Sequence, residues 1–478
     1  MSKRRTKRIV LVVLFLILAA AVFLVIKNQY FQMMSIGTGS KAKILCSSVF
    51  LSGRDATAVE AEDLGFHPLY KIFKTKVDYE QKRVSCSLLG TGLFKAEAVF
   101  REGIGAVLLA GGALEEVVRA WPKPEIDAAV EETDPESVDW PMGDRLILVP
   151  PGTTIDAARI RAAGDRLFSE ADPNHPLRTR ALIVLHDGRL VYERYGPGIT
   201  KNTRLLSWST VKSVTCVLAG ILVGRGRLDL DLPVPVEAWA GAGDSRRTIT
   251  LDQLLRMSSG LEWFEAYADR PVSDVNDMLF RKPDMAAFAA SKRRAVPAGA
   301  AWNYSSGTAN IVQGILRKTL GSDEEYWNFP RRALFDRIGM RSAVMERDAS
   351  GTFVGSSYLY ATARDFARFG LLCLNDGVWL GERILPEGWM AYATAPAPAA
   401  PQGRYGAFFW LNRGDPGKPE TRPYPLLPED AYFALGYQGQ TIAVLPSQKL
   451  VVVRLGMTYD DDWGGMNVFL PEIAAAVK

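Results

Sequence analysis

The strand-like segments of this chain stand at the two ends of a long helical stretch. ALIVLHDGRLVYERY, residues 181–195, predicts a β-hairpin, because two β-rich runs flank His-Asp-Gly. Residues 205–400 follow a helical rhythm, and strand patterns return at 404–412, 440–446 and 450–456. Since strands must pair, this order predicts an α+β domain. Its antiparallel sheet would be built from both ends and flanked by helices, with a mostly helical subdomain between them.

The N-terminus predicts a membrane anchor. Residues 9–26, IVLVVLFLILAAAVFLVI, carry no polar side chain, and a run of this length is about enough to cross a bilayer as a helix. The basic residues of positions 1–8 predict a cytoplasmic tail, with the rest of the chain periplasmic or otherwise extracytoplasmic. We therefore expect a single-pass protein of the inner membrane. A cleaved signal peptide is the alternative, with Ala19-Ala20-Ala21 as its cleavage site.

Outside that tail the chain is close to neutral. Without the five basic residues of the first eight positions, 52 basic residues face 53 acidic ones. A nucleic-acid partner is therefore not expected, because no basic field is available for phosphates. The three histidines (His67, His175 and His186) are scattered and no C-x-x-C occurs, so we expect neither a metal nor another cofactor.

The chain divides into three regions after the anchor. Residues 27–120 read as a small region of mixed helix and strand patterns. Residues 121–150 are rich in proline and acidic side chains, which predicts a linker or a surface wrap. Residues 151–478 form the large domain. Cys46 and Cys86 lie in the first region and would be able to form a disulfide in an oxidising compartment.

A serine and a lysine stand three residues apart where an apolar helix begins. Apolar residues recur at helical spacing from Val211 to Leu222, so Ser209 lies at the helix N-terminus, where negative charge is favoured. Lys212 shares its face at i+3 and, desolvated, can lose its proton and activate a serine. An N-capping serine and a solvated lysine are the alternative, and the same spacing recurs at Ser40 and Lys43.

Two later segments carry further polar groups. The chain has no G-x-S-x-G and no histidine beyond His186, which excludes a Ser-His-Asp triad of the usual kind. Residues 297–316 place Tyr304 and Ser306 in a turn just ahead of a helix. Residues 435–440, LGYQGQ, begin a strand whose small residues would let a substrate lie against the backbone.

In this order, the motifs resemble those of serine hydrolases of the class C β-lactamase and penicillin-binding-protein superfamily. The nearest subgroup is the one of 6-aminohexanoate-dimer hydrolases and related esterases. STVK at 209–212 resembles the S-x-x-K motif, and residues 249–263 resemble the segment after the nucleophile helix. Residues 297–307 resemble the Pro-Gly-x-x-x-x-Tyr-Ser-Asn region, with Ser306 in place of asparagine. YQG at 437–439 takes the place of the third motif.

The resemblance covers residues 150–478 and implies a role for each matched residue. Ser209 would attack the carbonyl and form an acyl-enzyme. Lys212 would take the serine proton or hold the tyrosine in its reactive state. Tyr304 would relay the proton to the leaving group and later activate water. The backbone N–H groups of Ser209 and Gln440 would stabilise the oxyanion.

Two departures from the family pattern bear on the substrate. Ser306, Tyr437, Gln438 and Gly439 would contact it, but Tyr437 stands where β-lactamases carry lysine or histidine. A neutral side chain cannot form a charge-assisted contact with a substrate carboxylate. We therefore expect a membrane-anchored esterase or amidase that acts on a small-molecule or peptide-like substrate. The alternatives are a D,D-peptidase or penicillin-binding cell-wall enzyme, and an acylated sensor or binding module without turnover.

Overall fold

The structure covers most of the chain after the N-terminal segment. This computed structural model describes residues 28–65, 68–112, 115–146, 154–170, 172, 174–267, 270–459 and 463–477. The predicted basic tail (1–8) and anchor (9–26) lie outside these residues. Among the residues that are described, no helix is both long and apolar enough to cross a membrane.

Helices dominate the centre of the large domain and strands its two ends. The helices of the described residues are α1 (28–50), α2 (Ala56–Glu62), α3 (Glu115–Ala120), α4 (Ala128–Glu132), α5 (Ala157–Arg166), α6 (Val211–Gly224), α7 (Leu251–Leu255), α8 (Asp274–Arg281), α9 (Met285–Ala290), α10 (Ser306–Leu320), α11 (Asp323–Pro330), α12 (Ala363–Leu374), α13 (Trp389–Ala393) and α14 (Met466–Ala474). The strands are β1 (Phe73–Asp78), β2 (Arg83–Leu88), β3 (Ala96–Arg101), β4 (Gly105–Leu108), β5 (Thr179–His186), β6 (Arg189–Tyr195), β7 (Leu205–Leu206), β8 (Val344–Met345), β9 (Leu359–Ala361), β10 (Val378–Trp379), β11 (Glu382–Arg383), β12 (Trp410–Leu411), β13 (Tyr432–Gly436), β14 (Gln440–Leu445) and β15 (Leu450–Gly456).

The main sheet is antiparallel and joins the two ends of the large domain. Its order is β12-β13-β14-β15-β5-β6, so β15 from the C-terminal end pairs with β5 from the N-terminal end. This confirms the predicted antiparallel sheet and the predicted hairpin β5–β6. Every residue of β15 is buried, because α12 covers one face while α5 and α14 cover the other. The strand predicted at 404–412 is shorter: β12 covers two residues of it, and Tyr405 forms an isolated bridge with Trp410. Strand β13 was not predicted.

The helical subdomain surrounds α6. Residues 211–222 of α6 are buried on all sides, as expected of a helix at the centre of a large core. α10 packs against α6, α7 and α9, and its first residue follows directly on the loop that carries Tyr304. The helix N-termini of α6 and α10 therefore lie close together, as the predicted roles of their residues require.

The N-terminal region packs onto the large domain through α1. Strands β1 to β4 form an antiparallel meander, and residues 36–49 of α1 are buried. A Cβ atom on Gly39 would lie 2.4 Å from the carbonyl oxygen of Phe280, so α1 contacts the backbone of α8 directly. The ammonium of Lys43 forms a buried salt bridge with Glu346, which also accepts a hydrogen bond from Ser47 at 2.9 Å. The second S-x-x-K motif thus ties α1 to the large domain.

The predicted disulfide between Cys46 and Cys86 is not present. Both cysteines are buried free thiols. The Cys46 thiol is directed at the carbonyl oxygen of Ala98 on β3, at 3.6 Å, rather than at another sulfur. Burial raises the pKa of Cys46, and burial raises the pKa of Cys86 to about 12, so neither thiol is activated for oxidation.

The described part of the acidic segment, up to residue 146, lies on the surface of the large domain. Arg368 donates hydrogen bonds to the carbonyl oxygens of Pro141 and Gly143, both at 2.6 Å. It also forms a salt bridge with Asp144, and Trp140 is buried. These contacts correspond to the surface wrap that was one interpretation of the sequence.

Candidate active site

Ser209 lies in a tight turn that leads into the buried helix α6. The turn, Trp208–Thr210, is a single turn of 3-10 helix, and α6 begins at Val211. Trp208 has a φ of 44°, a left-handed conformation that is uncommon outside glycine and often marks functional sites. Ser209 is only 8% exposed and stands two residues before the first residue of α6.

The Lys212 ammonium lies beside the Ser209 hydroxyl. Nζ donates to Ser209 Oγ at 2.9 Å, to Ser306 Oγ at 3.0 Å and to the carbonyl oxygen of Ser356 at 3.0 Å. The side chain is 1% exposed, and burial lowers the pKa of Lys212 to about 8, while the negative charge of Glu265 acts in the opposite direction. A substantial fraction of Lys212 is therefore neutral slightly above neutral pH, as a general base requires.

Tyr304 completes this cluster from the loop before α10. Lys212 Nζ lies 4.9 Å from the centroid of its ring. Burial raises the pKa of Tyr304 well above its usual value and the Glu265 charge raises it further, whereas a hydrogen bond with the Ser209 side chain lowers it. The phenol is thus held neutral, with its hydroxyl directed at the serine. The structure brings Ser209, Lys212 and Tyr304 together as the motifs predicted.

Ser306 bridges Lys212 and a carboxylate that the sequence did not reveal. Its hydroxyl donates to Glu265 Oε1 at 2.6 Å, and its backbone N–H donates to Glu265 Oε2 at 2.9 Å. Ser306 is 1% exposed, so the structure gives this predicted substrate contact a positioning role. The Tyr267 hydroxyl also donates to Glu265, at 2.6 Å. No periodicity or motif marks Glu265 or Tyr267, because both lie in an irregular loop.

The hairpin between β13 and β14 forms the other wall of the site. Tyr437 stacks on Tyr267 with ring centroids 4.9 Å apart, and Gln438 Oε1 accepts a hydrogen bond from Trp208 Nε1 at 2.9 Å. These two predicted substrate contacts therefore lie beside the nucleophile. Gly439 packs instead against a guanidinium, since a Cβ there would lie 2.3 Å from Arg454 Nη1.

Gly436 is the glycine that contacts the nucleophile turn. A Cβ atom on Gly436 would lie 3.1 Å from the backbone nitrogen of Ser209 and 2.5 Å from the carbonyl oxygen of Ser207. Gln440 lies four residues on, at the start of β14, and its side-chain amide donates to the carbonyl oxygens of Tyr437 and Gly456. The glycine that contacts Ser209, Gly436, thus lies three residues before Gly439, the glycine of the predicted third motif.

The whole arrangement matches a known family. The family model described as Beta-lactamase matches residues 165–461, more than half of the chain. The chain belongs to the Beta-lactamase family. The resemblance inferred from the motifs is thereby confirmed. The predicted enzyme class, a serine hydrolase, is confirmed as well by this family match and by a hydrolase among the relatives of the chain.

The relatives of this Beta-lactamase-family protein include a 6-aminohexanoate-dimer hydrolase of Paenarthrobacter ureafaciens. The two are 24% identical over 317 residues, which are 60% of this chain and 76% of the relative. A penicillin-binding protein homologue of Caulobacter crescentus has a similar structure, with a TM-score of 0.52 and 19% identity, covering 70% of this chain and all of that one. EstCE1, a hydrolase with promiscuous acyltransferase activity, also has a similar structure. The TM-score is 0.53 and the identity 16%, over 67% of this chain and 99% of EstCE1. These likenesses confirm the fold.

Proposed function

We propose that this protein hydrolyses an ester or amide bond through an acyl-enzyme on Ser209. The observation that carries this proposal is the contact between Lys212 Nζ and Ser209 Oγ at 2.9 Å, in a buried cluster that also holds Tyr304. The neutral lysine would accept the serine proton as Oγ forms a bond to the carbonyl carbon. The raised pKa of Tyr304 supports this assignment of the base, because a tyrosinate is disfavoured there.

Tyr304 would carry the proton onward. As the tetrahedral intermediate collapses and the bond to the leaving group breaks, the proton taken from Ser209 would pass through the phenol to the departing oxygen or nitrogen. In the second half of the reaction the same groups would deprotonate a water molecule. That water attacks the acyl carbon, and the serine is released with its proton restored.

The oxyanion would be held by backbone N–H groups at the start of α6 and in the β13–β14 hairpin. Ser209 would supply the first. Gln440 was the predicted second donor, but we favour the N–H of Tyr437, because it follows the glycine that contacts the Ser209 backbone. Removing one such donor costs roughly 3–4 kcal/mol of transition-state stabilisation in well-studied hydrolases.

We also propose that residues 9–26 anchor the enzyme in the inner membrane, with its catalytic domain on the extracytoplasmic side. The apolar run and its basic flank support this orientation. Two aromatic side chains that follow the run, Tyr30 and Phe31, are 59% and 53% exposed. Exposed aromatic residues at this position are typical of a membrane–water interface.

The test is intact-mass spectrometry and turnover with the detergent-solubilised full-length protein. A fluorophosphonate and p-nitrophenyl acetate should each give a covalent adduct, and the ester should also be turned over. Benzylpenicillin is a further reagent, which tests for the cell-wall enzymes. Ser209→Ala should lose adduct and turnover. Ser291→Ala, an exposed serine at the end of α9, is the control and should keep both. An adduct without product would indicate an acylated sensor, and no adduct with any reagent would contradict the proposal.

A further inference from the structure

An apolar cavity lies between α1 and the large domain, and part of its lining lies next to the catalytic site. One end is lined by Trp208, which precedes the nucleophile, and by Tyr267 and Tyr437, the stacked pair at the site. The walls further away come from α1 and from Leu279 and Phe280 at the end of α8. Ser209, Lys212 and Tyr304 do not line the cavity themselves, so the cavity adjoins the catalytic site across Trp208 and Tyr437.

The cavity follows α1 for most of its length. The α1 residues that line it recur at helical spacing, so they form one face of the helix; they are Met33, Ile36, Gly37, Ser40, Ile44 and Ser48. From residue 33 to residue 48 the helix rises about 22 Å, at about 1.5 Å per residue. A long, narrow ligand fits such a space better than a compact one.

The polar groups along the walls already have partners. The Ser40 hydroxyl is 2.7 Å from that of Tyr70. At one end, Asp63 forms salt bridges with both Arg54 and Arg180, which neutralise its charge. A charged or strongly polar ligand would therefore have to break existing pairs, whereas a hydrocarbon chain would only bury apolar surface.

The cavity extends along α1 as far as Met33, near the end of the chain that is proposed to enter the membrane. Met33 lines it only two residues after Phe31, whose exposed ring packs against Phe94 with centroids 5.2 Å apart. Leu93, next to Phe94, is also exposed. Phe31, Leu93 and Phe94 line a separate depression, so this apolar patch lies beside the cavity and is not part of its lining.

We infer that the substrate is an ester or amide that carries a long aliphatic chain, and that this chain lies along α1 while the scissile carbonyl lies at Ser209. The inference rests on the proposed function and names its substrate class. It gives α1 a role in substrate recognition, because the helix supplies one wall of the binding cavity. Phospholipids and other lipid esters of the membrane belong to this class, as do free fatty-acyl esters.

The experiment measures kcat/KM for esters that differ only in chain length, in the full-length protein. One arm lengthens the acyl side, from p-nitrophenyl acetate to p-nitrophenyl dodecanoate. The other lengthens the alcohol side, from ethyl acetate to dodecyl acetate. In at least one arm the long ester should be preferred about tenfold or more, because each buried methylene adds apolar contact. The arm that responds tells which side of the scissile bond enters the cavity.

Variants that fill the cavity should abolish this preference. Ile36→Trp and Ile44→Trp place an indole in its path, so kcat/KM for the long ester should fall about tenfold while that for the short ester stays within about twofold. Val49→Trp is the matched control, since Val49 is buried on α1 but does not line the cavity. It should change both esters equally. The short ester reports folding and catalysis in every variant.

The outcomes separate the two proposals. If no ester is turned over and Ser209 takes no phosphonate, the proposed function fails. If short esters are turned over but neither arm prefers the long chain, the chain-binding inference is overturned while the proposed function stands. The same holds if the long-chain preference survives in both Ile36→Trp and Ile44→Trp.

Discussion

Glu265 accepts hydrogen bonds from both the backbone N–H and the hydroxyl of Ser306, at 2.9 and 2.6 Å. The same hydroxyl accepts a hydrogen bond from Lys212, so a carboxylate and an ammonium are joined through one serine. Burial lowers the pKa of Lys212 to about 8, and the Glu265 charge limits that decrease. The balance between these two effects sets the pH at which the base becomes available.

Replacing Glu265 with glutamine should shift the low-pH limb of the activity profile to lower pH. The base must be neutral, so kcat/KM rises as the pH passes through the pKa of Lys212, about 8. Without the carboxylate, the ammonium is less stable and its pKa falls further. The measurement is kcat/KM for p-nitrophenyl acetate as a function of pH.

Glu262→Gln is the control for this prediction. Glu262 is an exposed residue of the same segment and pairs with Arg293, so its loss should leave the profile unchanged. A low-pH limb that moves upward in Glu265→Gln, or does not move, would contradict the assignment of Lys212 as the base.

Tyr304→Phe should lower kcat by about 10²–10⁴-fold without changing stability. The substitution removes only the hydroxyl, and the ring keeps its packing against Trp302 and Trp410. Turnover and thermal unfolding are measured together. Tyr405→Phe removes the hydroxyl of another tyrosine in the same aromatic cluster and should leave kcat within about threefold. Equal losses in the two variants would contradict a specific role of the Tyr304 hydroxyl in proton transfer.

Gly436→Ala should reduce kcat by about 100-fold, because the added methyl group displaces the nucleophile turn. The methyl carbon would lie 2.5 Å from the Ser207 carbonyl oxygen, well inside contact distance. Gly241→Ala is the matched control, since no atom lies within 4 Å of its new Cβ. Active-site titration with a fluorophosphonate gives the fraction of reactive Ser209. Full activity in Gly436→Ala would show that the turn tolerates displacement.

Lys43→Met should lower the free energy of unfolding by about 3–5 kcal/mol, because Glu346 would remain buried without its counter-charge. Urea denaturation followed by tryptophan fluorescence measures the change. Lys201→Met is the control: its pair with Glu136 lies at the surface and should contribute less than about 1 kcal/mol. The double variant Lys43→Met with Glu346→Met should be more stable than Lys43→Met, and the reverse order would rule out an unpaired charge as the cause.

The spacing of residues along the sequence predicted the parts of the molecule whose structure depends on sequence neighbours. The helix α6, the hairpin β5–β6 and the i+3 pair Ser209–Lys212 depend on neighbours in sequence, so periodicity was sufficient. Ser40 and Lys43 have the same spacing, yet Lys43 binds Glu346, which is 303 residues away. Spacing alone could not distinguish the two motifs, because the difference lies in tertiary contacts.

The residues that sequence reasoning missed are held by irregular backbone. Glu265 and Tyr267 follow a recognised segment, but their side chains reach the site only because a loop without repeating pattern turns towards α10. The register of the third motif was similarly ambiguous, since two glycines, Gly436 and Gly439, lie three residues apart. Only packing shows that the first of them contacts Ser209. The Cys46–Cys86 pairing was wrong because compartment chemistry does not determine which way a thiol points.

The direct run of α1 into the core constrains how the enzyme could work at a bilayer. If residues 9–26 span the membrane as proposed, the helix emerges at residue 28 and is already buried by residue 36. Such an enzyme would have no flexible linker between its anchor and its catalytic domain. Its active site would therefore stay at a constant height above the lipid headgroups. It would encounter substrates by lateral diffusion in two dimensions, and its rate would scale with their surface density in the bilayer rather than with their bulk concentration.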